Sequence, residues 1–245
     1  MKNIKLKLQY EGTNYAGWQR QNDVDTIQEN IETALKRLTG EDIKLIASGR
    51  TDKGVHAIEQ VANFKTRSPI PGEKYKIAIN PFLPEDISVL DSEEVGMRFH
   101  SRFDAKGKVY RYKVYNGKRP RALYRNFYYH YPYDVDLEKI IQASKYFLGT
   151  HDFKSFMARD CYAENTRRTI DTISIKKIDE CIEFEIKGNS FLRYMIRIIV
   201  GTLLQVGVGK IDIEDLTAII QGKKRKYAGI TAAAHGLYLE KVFYN

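Results

Sequence analysis

The sequence predicts an α+β protein made of two ferredoxin-like (RRM-like) units, residues 1–104 and 105–245, and three observations carry that expectation. In the first half the apolar residues follow the periods of strand and helix in the order β-α-β-β-α-β, which is the ferredoxin-like succession. The second half runs through a similar succession of elements without repeating the residues. Charge divides along the same line: residues 1–104 hold 15 Lys+Arg against 16 Asp+Glu, and residues 105–245 hold 25 against 15, for a chain total of +9.

Residues 2–10 alternate Lys with Ile4, Leu6, Leu8 and Tyr10, a strand with one wet face. Gly12 to Gln21 reads as a loop. From Thr26 the apolar residues Ile27, Ile31, Ala34, Leu35 and Leu38 recur at three and four, so a helix starts there, and Gly40 ends it. Ile43–Ala47 and Ile58–Lys65 are strands on either side of a polar turn. Pro69 and Pro71 interrupt the chain before a short helix at Tyr75–Ile79 and a strand at Ile87–Val95. In the second half, Lys106–Tyr115 and Tyr128–Tyr133 read as strands and Leu137–Leu148 as a helix. Thr169–Lys177 and Cys181–Lys187 are strands joined at Ile178-Asp179-Glu180. A long apolar helix at Phe191–Val206, a helix at Ile213–Gln221 and a strand at Leu237–Phe243 complete the chain.

Composition narrows the class. With 17 Tyr and 11 Phe, and a basic second half, the chain suits a polyanion partner that offers phosphates to cations and bases to rings. Cys161 and Cys181 are too few for a disulfide framework and lack zinc spacing. No secretory signal opens the chain, and Arg193 and Arg197 interrupt the best apolar stretch. The expectation is a soluble, cytoplasmic protein that does not enter a membrane. There is no Walker loop, dinucleotide fingerprint or His-Glu-x-x-His, which agrees with chemistry that needs no cofactor or metal but is only mild support for it.

The polar turn between the two strands is Gly49-Arg50-Thr51-Asp52-Lys53-Gly54-Val55-His56-Ala57. Arg50 and Lys53 flank Asp52 and favour its ionised form. An ionised carboxylate there is either an Asx-turn or helix cap, or a nucleophile, base or metal ligand. On the apolar helix, Arg193 and Arg197 are four apart and share one face; each either snorkels to water or takes a buried partner. Strand alternation puts Tyr110 and Tyr112 on one face, where a tyrosine can equally be core.

These stretches together resemble the TruA family of tRNA pseudouridine synthases. The likeness rests on Gly49-Arg50-Thr51-Asp52-x-Gly54-Val55-His56-Ala57 and on further blocks in the same order. These are Tyr10-Glu11-Gly12-Thr13-x-Tyr15-x-Gly17-Trp18-Gln19-Arg20-Gln21, Phe99-His100-Ser101-Arg102-Phe103, Tyr110-Arg111-Tyr112, Gly149-Thr150-His151-Asp152-Phe153, Gly188-Asn189-Ser190-Phe191-Leu192 and Gly236-Leu237-Tyr238-Leu239. Departures are small: Lys53 stands where bacterial members often carry Ala, and Ala232-Ala233-Ala234 replaces a segment that often contains Pro.

The resemblance implies two such domains side by side, with a joined, mainly antiparallel sheet and a central catalytic cleft. It implies isomerisation of uridine to pseudouridine in the anticodon stem-loop of tRNA, at positions 38–40, without a cofactor. Asp52 matches the aspartate that attacks the target nucleotide, and Arg197 the arginine that pairs with it. Tyr110 matches the tyrosine whose ring stacks on the displaced uracil and whose hydroxyl could take the proton leaving the rejoined base. Leu237 would close that pocket. Arg50 either fills the gap left by the flipped nucleotide or contacts a phosphate. Lys223-Lys224-Arg225-Lys226, Arg167-Arg168 and Lys118-Arg119-Arg121 are candidate phosphate contacts, and the loop Tyr15–Gln21 serves RNA or packing. Family members act as homodimers, so a homodimer is expected. Two other classes compete: an RNA-binding module without catalysis, which leaves Asp52 unexplained, and a metal-dependent hydrolase, which lacks a second acidic cluster near the turn.

Overall fold

The computed structural model describes residues 1–244, which form two compact α+β units. One is Met1–Lys106 with the C-terminal strand from Tyr238 onward; the other is Gly107–Leu237. Sequence order had placed that last strand in 105–245. It lies instead with the first unit, where Tyr238 and Leu239 pair in parallel with His56 and Ala57.

The first unit contains β1 (Lys2–Tyr10), α1 (Ile27–Thr39), β2 (Ile46–Ala47), β3 (His56–Thr66), a short α2 (Tyr75–Ala78) and β4 (Ile87–Val95). β1 lies between β4 and β3, antiparallel to both, with Leu6 opposite Ala62 and Ser92. The period-two pattern of β1 drives this placement: Ile4, Leu6 and Leu8 are fully buried, and each such side chain contributes about 1.5–3 kcal/mol over an exposed one. α1 starts and stops where its sequence says. The Thr26 hydroxyl accepts the Glu29 N–H, Gly40 takes a left-handed conformation, and Lys36 and Arg37 sit at the negative end of the helix.

The second unit contains β5 (Gly107–Tyr115), β6 (Tyr129–His130), α3 (Leu137–Ser144), β7 (Gly149–Asp152), β8 (Arg167–Ile178), β9 (Cys181–Gly188), α4 (Met195–Gly207) and α5 (Asp215–Gln221). Its sheet runs β5-β9-β8-β7, each neighbour antiparallel, with β6 parallel to β5. Tyr112, Ile140, Phe147, Phe153, Phe156, Phe184, Ile198, Ile199 and Leu203 are fully buried. β10 (Leu237–Phe243) follows this unit.

Several elements differ from their sequence reading for identifiable reasons. The strand expected at Ile43–Ala47 is reduced to Ile46–Ala47, because the buried Glu32 carboxylate of α1 takes the Leu45 N–H at 2.9 Å in place of a ladder partner. The strand expected at Tyr128–Tyr133 shrinks to Tyr129–His130; the Asn116 side-chain amide occupies the carbonyls of Tyr131 and Tyr133. The helix expected from Phe191 starts at Met195, since Tyr194 has φ 65°. Arg193 therefore lies outside α4 and does not share a helical face with Arg197; it is exposed and pairs with Asp160 at 2.6 Å. β7 is a strand the sequence reading did not contain.

Candidate active site

The turn between β2 and β3 is fixed residue by residue from the rest of its unit. At its entry, Gln60 of β3 is fully buried and donates from its side-chain amide to the Gly49 carbonyl at 2.9 Å, while its Oε1 accepts the Ser48 hydroxyl at 2.6 Å. Thr51 is held twice: its hydroxyl is bonded to the Tyr10 hydroxyl at 2.8 Å, and its carbonyl accepts the Trp18 N–H at 3.0 Å. The Val55 N–H closes the turn on the Asp52 carbonyl at 3.1 Å, with Gly54 at φ 77°, where a side chain would be strained. At its exit, the Gly12 N–H donates to His56 Nδ1 at 3.0 Å, and the His56 ring stacks on Tyr238 at 4.8 Å. A Cβ on Gly12 would stand 2.0 Å from the Val55 carbonyl oxygen, so the opening loop lies directly on the turn.

The consequence is a half-buried Asp52 on a backbone with little freedom, between exposed Arg50 and Lys53. Arg50 makes no hydrogen bond or ion pair among the described residues. The opening loop packs rather than projects: Trp18 is 2% exposed, and Arg20 pairs with Glu29 and Glu32. The Tyr10 phenol is buried and bonded to Thr51, and burial holds its pKa above the usual range.

The other expected residues lie in the second unit. Tyr110 of β5 is half-buried and meets Phe191 edge-on at 5.2 Å. Tyr112, two residues on, is core: it is 0% exposed and donates its hydroxyl to the Ala233 carbonyl at 2.6 Å. Arg197 sits in the first turn of α4, half-buried. Its Nε donates to the Ala232 carbonyl at 2.7 Å, and its guanidinium lies 4.7 Å from the centre of the Tyr194 ring. Burial, and then the Arg197 charge, hold the nearby His235 imidazole below its ordinary pKa, against a backbone hydrogen bond with Tyr128. Leu237 opens β10 and is buried.

Of the basic clusters, Lys118 pairs with Asp134, Arg121 with Glu180 and Lys223 with Asp152. Arg168 donates to the carbonyls of Asn165 and Arg167. Among the described residues no group of three or more His, Cys, Asp or Glu stands close enough together to hold a metal ion, and no helix is long and apolar enough to cross a membrane. The sequence reading missed Tyr10, Thr51, Trp18 and His56 as supports of the turn. Their signal was present in two motif blocks, Tyr10-Glu11-Gly12 and Gly17-Trp18, which only the fold brings against the turn.

A relative from Acetivibrio thermocellus named tRNA pseudouridine synthase A is 50% identical over 244 residues, covering all of both chains. One from Clostridium tetani, named tRNA pseudouridine synthase A 2, is 49% identical over 246 residues, 100% of this chain and 99% of its own. One from Caldicellulosiruptor bescii, also named tRNA pseudouridine synthase A, is 48% identical over 244 residues, the full length of both. A crystal structure of the archaeal box H/ACA Nop10–Cbf5 complex aligns over 91% of this chain and 59% of its own, with 14% identity and a TM-score of 0.39, a likeness too loose to carry an argument. A family profile described as tRNA pseudouridine synthase matches residues 8–104 and 143–245, and with relatives of such identity over the whole length, the chain belongs to the tRNA pseudouridine synthase family.

Proposed function

We propose that the chain converts uridine to pseudouridine at positions 38–40 of the tRNA anticodon stem-loop, with Asp52 as the nucleophile. The family makes it an isomerase acting on tRNA. The observation that supports Asp52 is the turn itself: the residues on either side are bonded in place at Thr51 and His56, while Asp52 stays half-exposed between two exposed cations. Such an acid has a fixed aim and access to a large substrate.

In this reading the Asp52 carboxylate attacks the target nucleotide and the N-glycosidic bond breaks. The freed base rotates and rejoins its ribose through carbon, and the bond to Asp52 breaks to return the carboxylate. The proton on the rejoined base carbon departs, while the ring nitrogen that left the ribose carries a proton in its place. Atoms and electrons balance without a cofactor. Tyr110 supplies a ring for the base and a hydroxyl that can take the proton. Arg197 acts as counter-ion to Asp52, Leu237 packs the pocket, and Arg50, exposed and unpartnered, enters the place of the flipped nucleotide or meets a phosphate. The order β4-β1-β3, with β2 on the far edge of β3, supports a ferredoxin-like first unit. The enzyme works as a homodimer in the cytoplasm, one subunit's Asp52 served by basic residues of the other.

The test is incubation of purified protein with unmodified tRNA, followed by mapping of pseudouridine. Product at positions 38–40, absent with Asp52→Asn although that variant binds tRNA within a few-fold of the parent, is expected. Turnover by Asp52→Asn above a trace overturns the nucleophile, and a cleaved product overturns the isomerase. Sedimentation that gives a monomer overturns the dimer.

A further inference from the structure

Phe103 is the most exposed phenylalanine of the first unit, with 74% of its surface open. A lone exposed apolar side chain is ordinary, and exposure by itself says nothing. What sets Phe103 apart is how firmly its turn is built. Ser101, two residues earlier, is fully buried: its N–H donates to Asn63 Oδ1 at 2.9 Å, its hydroxyl to the Ile46 carbonyl, and its carbonyl accepts the Tyr244 hydroxyl at 2.8 Å. Asn3, also fully buried, donates to the carbonyls of Gly96 and Phe99 at 3.0 Å each. Above this base, His100 Nδ1 accepts the N–H groups of Arg102 and Phe103, and the His100 N–H is taken by Asp104 at 2.9 Å. The His100 ring then stacks on Phe103 at 4.3 Å and 29°, and the Arg102 guanidinium lies 5.7 Å from the Phe103 centroid.

The ring is thus ordered before anything binds it, which lowers the entropic cost of stacking. One cation stands at the ring itself: the Arg102 guanidinium, exposed and without an ion pair among the described residues. Arg98 of the same turn is likewise exposed and carries no ion pair among them, and Asp104, the one acid of the turn, is bonded to the His100 backbone N–H. A flat apolar ring with an unpaired guanidinium beside it matches an unstacked nucleobase next to its phosphate.

We propose that Phe103, backed by His100, is a stacking platform for an unpaired nucleobase of the tRNA substrate, with Arg98 and Arg102 on the neighbouring phosphates. The proposal rests on tRNA as the substrate. A second copy of the chain is the other occupant such a ring could have, but the unpaired Arg102 guanidinium at the ring and the unpaired Arg98 of the same turn favour a polyanion.

Binding of unmodified tRNA is measured for the parent, Phe103→Ala, Phe103→Leu, Phe103→Trp and Arg102→Gln across a salt series, with sedimentation and thermal melting of each. Phe103→Ala is expected to weaken binding about 5- to 100-fold with an unchanged salt slope, as loss of one base stack does. Phe103→Leu should be nearly as weak, because bulk without a π-face does not stack, and Phe103→Trp should bind as well as the parent. Arg102→Gln should lower the salt slope by about one. Melting temperatures should not move, since the ring is exposed. Phe103→Ala that binds tRNA like the parent overturns the platform, as does Phe103→Leu that binds like the parent, and so does a dimer lost with RNA affinity intact. A parent that makes no pseudouridine would instead defeat the substrate reading, so the two failures are distinct.

Discussion

Removing the Tyr10 hydroxyl should slow the chemical step although Tyr10 lies in the core and touches no substrate. Tyr10 is 3% exposed and Thr51 6%, and their hydroxyls meet at 2.8 Å next to Asp52 in the chain. Tyr10→Phe leaves the Thr51 hydroxyl buried without that partner, a loss of about 1–3 kcal/mol of stability. At about 2–4 °C per kcal/mol for a chain of this size, the melting temperature should fall by about 2–12 °C. If the bond also aims Asp52, a displacement approaching 1 Å carries a rate cost of up to about 100-fold. The assay is single-turnover pseudouridine formation at saturating tRNA, which separates chemistry from binding and release. We expect Tyr10→Phe and Thr51→Val each to lower that rate about 10- to 100-fold with tRNA affinity unchanged. The double variant should be no slower than the worse single one, because the same contact is removed twice. Thr51→Ser, which keeps the hydroxyl, should recover most of the rate. A single-turnover rate within about twofold of the parent in Tyr10→Phe, despite the lower melting temperature, would refute the reasoning and leave the bond a packing detail.

If Arg197 is the counter-ion of Asp52, as proposed, Arg197→Ala should cost most of the activity and move the acid limb of the pH–rate profile upward, because a carboxylate that loses a counter-ion ionises at higher pH; a profile that scales down without moving would make Arg197 a contact to RNA. Tyr110→Phe separates ring from hydroxyl: rates close to the parent, with Tyr110→Ala far slower, mean stacking alone, whereas equal damage from both means the hydroxyl moves a proton. Gly12→Ala should melt lower and lose activity together, since its Cβ would stand 2.0 Å from the Val55 carbonyl and push the turn out of place; a fully active variant would show that the turn tolerates the shift. His235 has a depressed folded pKa, so the native state binds fewer protons than the unfolded chain below about pH 6.5. Stability should be full above that pH and decline as pH falls through it towards the folded value, and His235→Asn should flatten that part of the melting profile.

What the sequence disclosed depended on whether a local pattern or a distant partner decides the structure. α1 is announced by apolar spacing, a Thr26 cap and Gly40, all within a few turns of the chain, and it forms at those bounds. β1 is visible because its apolar residues alternate with lysines, Ile4, Leu6 and Leu8 all being buried, and β3 because it runs through consecutive buried residues from Gln60 to Phe64. β2 and β6 have strand-like composition, but Glu32 and Asn116, side chains from elsewhere, take the backbone groups a ladder would use. The start of α4 depends on the left-handed Tyr194, which no apolar period encodes. Asp52 was conspicuous because its loop concentrates charge and glycine. Its supports were not, since Tyr10 and Trp18 look like any core aromatics until the fold lays them against Thr51.

The charge of the second half illustrates the same limit in energetic terms. A surplus of ten cations does not translate into ten phosphate contacts, because the structure has already engaged several of them. Lys118, Arg121 and Lys223 have acidic partners at 2.6, 2.7 and 3.0 Å. Exposed pairs of this kind are worth about 0–1 kcal/mol, so a phosphate could displace the partner, but the acid stays and repels it. Asp152 is the firmest case. Its carboxylate also accepts Thr166 and the Lys154 N–H, and with Lys223 these bonds outweigh its partial burial and hold its pKa below the ordinary value. Within the three basic clusters, Arg119, Arg167, Lys224 and Lys226 are exposed and carry no such pair among the described residues. In the first half, Arg98 and Arg102 of the Phe103 turn, and Arg50 and Lys53 beside Asp52, are exposed and carry no ion pair among the described residues. Where cations remain unpaired, rather than how many each half contains, decides where a polyanion can gain most by binding.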